Sequence, residues 1–164
     1  MKRILLFVAT NLAMSLKQVA PHKSVALVDL NRHDSDLPIF LDLPAPRGLR
    51  DLSDDISRLD EAILRSVLVE HESGIDLLQS GYDGLEGIEP VPGCVLRTLD
   101  LMRSIYDYVF VDCGHILENA TREALDYSSS LMVVMTLNLP TIRRSKQLLE
   151  LLQAAHYGSD KVSL

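Results

Sequence analysis

Tyr108-Val109-Phe110-Val111-Asp112-Cys113 is the most strand-like run in the chain, an unbroken series of aromatic and β-branched residues that reaches a carboxylate. A second run of the same kind, Val25-Ala26-Leu27-Val28-Asp29, lies upstream within Ser24–Leu30. Neither alternates apolar with polar residues. Both therefore read as strands buried on two faces, as in a parallel sheet with helices on each side.

Working outward, Lys2–Val8 (KRILLFV) reads as another buried strand, and Ala9–Val19 as a helix carrying Ala9, Leu12, Ala13 and Leu16 on one stripe. Ser35–Leu43 is expected to form a short helix, followed by a loop at Pro44–Gly48. Arg58–Glu70 places Leu59, Ile63 and Val67 four apart, a helical spacing. Gly74–Gln79 is a strand candidate, and the Gly/Pro-rich stretch Ser80–Gly93 a loop. The next helix sets Val95, Leu99, Met102 and Tyr106 on one face. Helix Asn119–Tyr127, strand Leu131–Thr136 and helix Thr141–Ala155 follow, and Lys161–Leu164 reads as a further strand beginning. This alternation implies an α/β fold, a three-layer sandwich around a mostly parallel central sheet, in one domain over residues 1–164.

Composition agrees. The 164 residues are 47% hydrophobic with a mean hydropathy of +0.12, enough for one core and too few for two domains. The net charge of −7 and pI near 5.1 argue against a nucleic-acid surface, which needs clustered cations. The longest basic cluster, Arg143-Arg144-Ser145-Lys146, reads as a solvated helix face. Cys94 and Cys113 have no metal or redox spacing and fit a reducing, cytoplasmic setting. The five histidines contain no metalloprotease-type pair. Met1-Lys2-Arg3 and the apolar residues after it have the outline of a secretory leader, but Asn11, Ser15, Lys17 and Gln18 crowd the apolar region. No membrane anchor is read; Ile142, Leu148, Leu149 and Leu152 are taken as core packing.

In open α/β sheets, ligands sit at the carboxyl ends of the strands. Asp29 and Asp112 each close a strand at that edge, where a carboxylate on an apolar anchor can hold Mg²⁺ directly or through water. Asp also ends strands for plainer reasons, by forming turns or capping the next helix. Asp34 and Asp36 add acids to the loop after Asp29, which reads as a solvated acidic loop in the absence of a phosphate to share the metal.

The order of segments resembles the ParA/MinD-type P-loop ATPases. Ala9-Thr10-Asn11-Leu12-Ala13 is similar to the helix after their phosphate-binding (Walker A) loop, and Val25–Leu30 to their second strand. Tyr106–Asp112 is similar to their Walker B strand, and Thr136 with Leu139–Arg144 to the segment that follows. Narrower similarity points to the CpaE/TadZ pilus-assembly branch. It is carried by Asp29-Leu30-Asn31, Ser35-Asp36-Leu37, Leu41-Asp42-Leu43, Arg47-Gly48-Leu49, Asp51-Leu52, Arg58-Leu59-Asp60 and Leu68–Gly74. The resemblance implies ATP and Mg²⁺ as family cofactors. It places Asp29 on the metal and water side, makes Asp112 the Walker B carboxylate, and implies a homodimer that helps place pilus or secretion machinery in the cytoplasm, at a cell pole.

The departures matter as much. The family's glycine-rich loop with its lysine belongs between Val8 and Ala9, and here the two segments are joined directly. Gly114 stands where relatives often show proline, and Lys161–Leu164 stands where the family continues into nucleobase-recognising residues. A residual helix N-terminus at Ala9 and Thr10 would be a weak anion site. The chain as given is therefore expected neither to bind nor to hydrolyse ATP. Three outcomes are open at the junction: a distorted turn over Phe7–Thr10, a single helix over Lys2–Val19 that abolishes the first strand, or residues missing from the sequence. Alternative readings are an active partition or division ATPase whose loop is missing, and a non-catalytic protein-binding module on the same fold.

Overall fold

A computed structural model describes residues 2–32, 35–44, 46–54, 56–81, 90–114 and 116–164. His33, Asp34, Ala45, His115 and most of the loop before Gly93 lie outside the described residues, Asp34 of the acidic loop among them.

The first element corrects an expectation. Lys2–Val19 is one continuous helix, α1, so Lys2–Val8 is not a strand. With no glycine, proline or polar turn between Val8 and Ala9, nothing in the sequence breaks a helix that Leu12, Ala13 and Leu16 favour downstream. Reversal into a packed helix would have needed about two to six loop residues that are not there.

Strand β1 (Val25–Asp29) is buried along its whole length. It pairs in parallel with β3 (Asp76–Leu78) on one side and β4 (Tyr108–Asp112) on the other. The short β2 (Val69–Glu70) adds antiparallel to β3, giving the order β2-β3-β1-β4. A separate pair, β5 (Leu131–Met132) and β6 (Val162–Ser163), is also parallel. The strand expected over Leu131–Thr136 is thus only as long as its partner, with Val133 N adding one bond to Ser163 O at 2.8 Å.

Alternation along β1 divides the core. Val25 and Leu27 pack with Leu6 and Ala13 of α1, with Leu37 of helix α2 (Leu37–Phe40), and with Leu41, Ile75 and Leu77. Ala26 and Val28 pack on the other face with Leu52 of α3 (Leu49–Asp54), Leu64 of α4 (Glu61–Arg65), Val95, Leu99 and Met102 of α5 (Cys94–Ile105), and Ala120 and Ala124 of α6 (Asn119–Tyr127). Two apolar faces on one sheet require helices above and below. The structure is the expected three-layer α/β arrangement.

The helix expected over Arg58–Glu70 is divided. Asp60 accepts from Ile63 N at 2.8 Å and starts α4 afresh, and Val69 and Glu70 leave the helix to pair with β3 through a tight turn at His71–Gly74. Helix α7 (Leu139–Ala154) begins two residues earlier than expected, because Asn138 caps Thr141 N at 3.0 Å and Pro140 sits in its first turn. Helix α5 starts at Gly93, whose φ of 81° excludes most side chains. Its cap comes from another element: the Glu123 carboxylate of α6 accepts from Gly93 N (2.8 Å) and Leu96 N (3.1 Å). No described helix is long and apolar enough to cross a membrane.

Candidate functional site

Parallel pairing of β1 and β4 sets Asp29 directly beside Asp112 at the carboxyl edge. Both lie in the alternation class of Val25, Leu27 and Phe110, the residues that pack under α1. The two carboxylates therefore project to the same side of the sheet, and both are buried.

Each is held by the loop that follows its strand. Asp29 accepts from Asn31 N and from the Ser35 hydroxyl, both at 2.8 Å. Asp112 accepts from Gly114 N at 2.8 Å. Gly114 has φ of 64°, and an added Cβ would meet the Asn31 side chain at 3.4 Å, so the two loops touch at this point. Burial dominates the electrostatics. It pushes the Asp29 carboxyl up to about 7, with the Asp112 charge adding to the rise and the Ser35 and Asn31 hydrogen bonds opposing it. Burial also raises Asp112, against the pull of Gly114 N.

The same two loops are joined by an ion pair. Arg32 donates through Nε (2.8 Å) and Nη2 (2.7 Å) to Oε2 of Glu118, with the guanidinium almost wholly buried. The sequence reading missed this pair. Its only signal was an arginine three residues past one strand-ending acid and a glutamate six past the other.

Two adjacent buried acids suit a hard divalent cation, which takes carboxylate oxygens and completes its shell with water. No group of three or more potential ligands occurs among the described residues, of which these two acids would be the ones to hold it. A nucleotide fits less well. Ala9 and Thr10 are not a helix N-terminus, because seven helical residues precede Ala9 and their amides take part in α1's own ladder. Thr10 is fully buried, and its hydroxyl has no partner among the described residues.

No protein-family model and no curated protein matches the sequence. Solved structures do. A ParA family ATPase from Chlorobium tepidum is 28% identical with a TM-score of 0.84, over 95% of this chain and 65% of that one. MinD in a MinC:MinD cell division complex from Aquifex aeolicus gives 20% identity and 0.72, over 96% of this chain and 61% of its own. The septum site-determining protein MinD of Pyrococcus horikoshii, solved with Mg-ADP, gives 16% and 0.73, over 92% and 60%. The chain spans less than two thirds of the length of each. Its fold is that of the ParA/MinD-type P-loop ATPases.

Proposed function

We propose that this chain is a CpaE/TadZ-like assembly or polar-localisation protein on the ParA/MinD fold, and that as given it neither binds nor hydrolyses ATP. The observation that carries the reading is the unbroken helix through Ala9 and Thr10 on the face where Asp29 and Asp112 project. A triphosphate site needs successive amides aimed at the anion and usually a lysine. A helix terminus alone contributes about 0.3–1 kcal/mol at an exposed site, whereas micromolar affinity needs about 8 kcal/mol. The metal-side acids remain without that cradle, with Asp112 in the Walker B position and Asp29 on the water side.

On this reading the chain acts by binding proteins. Its partners are a second copy of itself and components of pilus or secretion machinery, met in the cytoplasm at a pole. The branch assignment rests on the loop sequences after β1 and before β3. Titrating a fluorescent ATP analogue with Mg²⁺ tests the nucleotide half: no saturable binding is expected up to about 100 μM. Micromolar binding by this chain would overturn it.

A further inference from the structure

Helix α7 carries two stripes. Thr141, Ser145, Leu148 and Leu152 recur at helical spacing and turn inward, where Leu148 and Leu152 pack with Leu131, Val133 and Val162. Leu139, Ile142, Arg143 and Lys146 recur at i, i+3, i+4 and i+7 on the opposite side, and all four are exposed. Ile142, expected in the core, is 41% exposed. Leu139 is 77% exposed, and Leu137, just before the helix, 89%.

The stability of the helix does not account for this outer stripe. Three large apolar side chains stand in water between Leu137 and Ile142, and forgo the gain that burial would bring. Arg143 and Arg144 have no ion-pair partner among the described residues. Lys146 reaches Glu150 at 3.8 Å, an exposed pair of the kind that contributes little. The helix has no acidic residue in its first turn and no basic residue in its last, so its charges do not follow the helix dipole. In a chain of net charge −7, three cations within residues 143–146 are a local reversal of sign.

We propose that the outer face at the start of α7 is a docking surface for an acidic, amphipathic segment of a partner protein. Apolar side chains of that segment cover Leu137, Leu139 and Ile142, and its carboxylates meet Arg143, Arg144 and Lys146. Charge complementarity selects this occupant. A second copy meeting this face about a two-fold axis would set the same cations against one another. Nucleic acid is opposed by the net charge. A bilayer would gain little, because the other stripe of α7 is committed to packing and leaves three apolar side chains to insert. The proposal requires neither the assembly role nor the loss of nucleotide binding.

The probe is a synthetic peptide of Glu and Leu, with Leu at helical spacing, titrated at low salt into isotope-labelled protein. The amides of Leu139–Lys146 should shift saturably. Arg143→Gln combined with Lys146→Gln should weaken binding about tenfold, as should Ser in place of every Leu in the peptide. Both substitutions are at exposed positions, and an unchanged urea midpoint shows that the variant is folded. No saturable shift in this stretch, or equal binding by the double variant or by the Ser peptide, would overturn the proposal. Shifts that grow with protein concentration alone would assign the face to a second copy. Shifts with phosphatidylserine-containing vesicles and none with the peptide would assign it to a membrane. Either result also overturns it.

Discussion

The two ends of the β1/β4 pair solve opposite problems. At the amino end, Asp107 accepts from Lys23 Nζ (2.8 Å), Ser24 N (2.9 Å) and the Ser24 hydroxyl (3.0 Å), and its own amide donates back to Ser24 Oγ (2.9 Å). That carboxylate is held down at about 2, first by the Lys23 hydrogen bond and then by those from Ser24. At the carboxyl end, two acids stand side by side in burial with a few neutral donors, and both are raised. One end is a satisfied clasp in water. The other holds an arrangement that a fold built only for stability would avoid, since buried charge is costly unless paired. Raised carboxyls grouped at one sheet edge are the reason for testing that edge for a cation.

The largest expected effect comes from the ion pair that ties the loops over that edge. Glu118→Gln removes one opposite charge from the buried Arg32 guanidinium and should cost about 3 kcal/mol in denaturant unfolding. A loss below about 0.5 kcal/mol would mean that the loops are held elsewhere.

A smaller effect, of opposite sign, is expected at Asp29. Its carboxyl titrates higher in the folded state than in the unfolded one, so folding takes up a proton. Stability is then lost as pH rises from near 4 to about 7. Asp29→Asn, with its amide free to donate to Ser35 Oγ, removes this dependence. The variant should gain on the wild type across that window and reach its full advantage by about pH 8, as read from parallel urea melts. Mg²⁺ should raise the wild-type melting temperature at pH 8 and leave the variant unmoved.

The smallest effect belongs to the amino end. Asp107→Asn should destabilise slightly at neutral pH, and less at high salt because the pair is exposed. A depressed carboxyl contributes stability above its unfolded pKa and loses it as pH falls from near 4 to about 2, so the difference should vanish in acid. A penalty as large as that of Glu118→Gln would erase the contrast between the ends.

Much of this edge was legible in the sequence. Apolar runs ending in Asp29 and Asp112 stated both the strands and the position of their acids, because a parallel ladder in register brings such endings together. Lys2–Val8 was not legible, because five consecutive apolar residues satisfy either period and the deciding fact was the helical sequence joined to them. Arg32–Glu118 and the Glu123 cap on α5 join residues 86 and 27 to 30 positions apart, which no local period records. β2 was hidden for a related reason. Val69-Glu70 continues a helical spacing, and only the turn at His71–Gly74 returns it to β3.

The account is tested most directly by titrating the side-chain carboxyl carbons of Asp29 and Asp112 by NMR in metal-free buffer. The account expects Asp29 to titrate near 7 and Asp112 above the ordinary aspartate range, with Mg²⁺ lowering both. Midpoints at or below about 4 for both carboxyls would contradict it, because the edge would then carry no stored electrostatic cost for a cation to relieve.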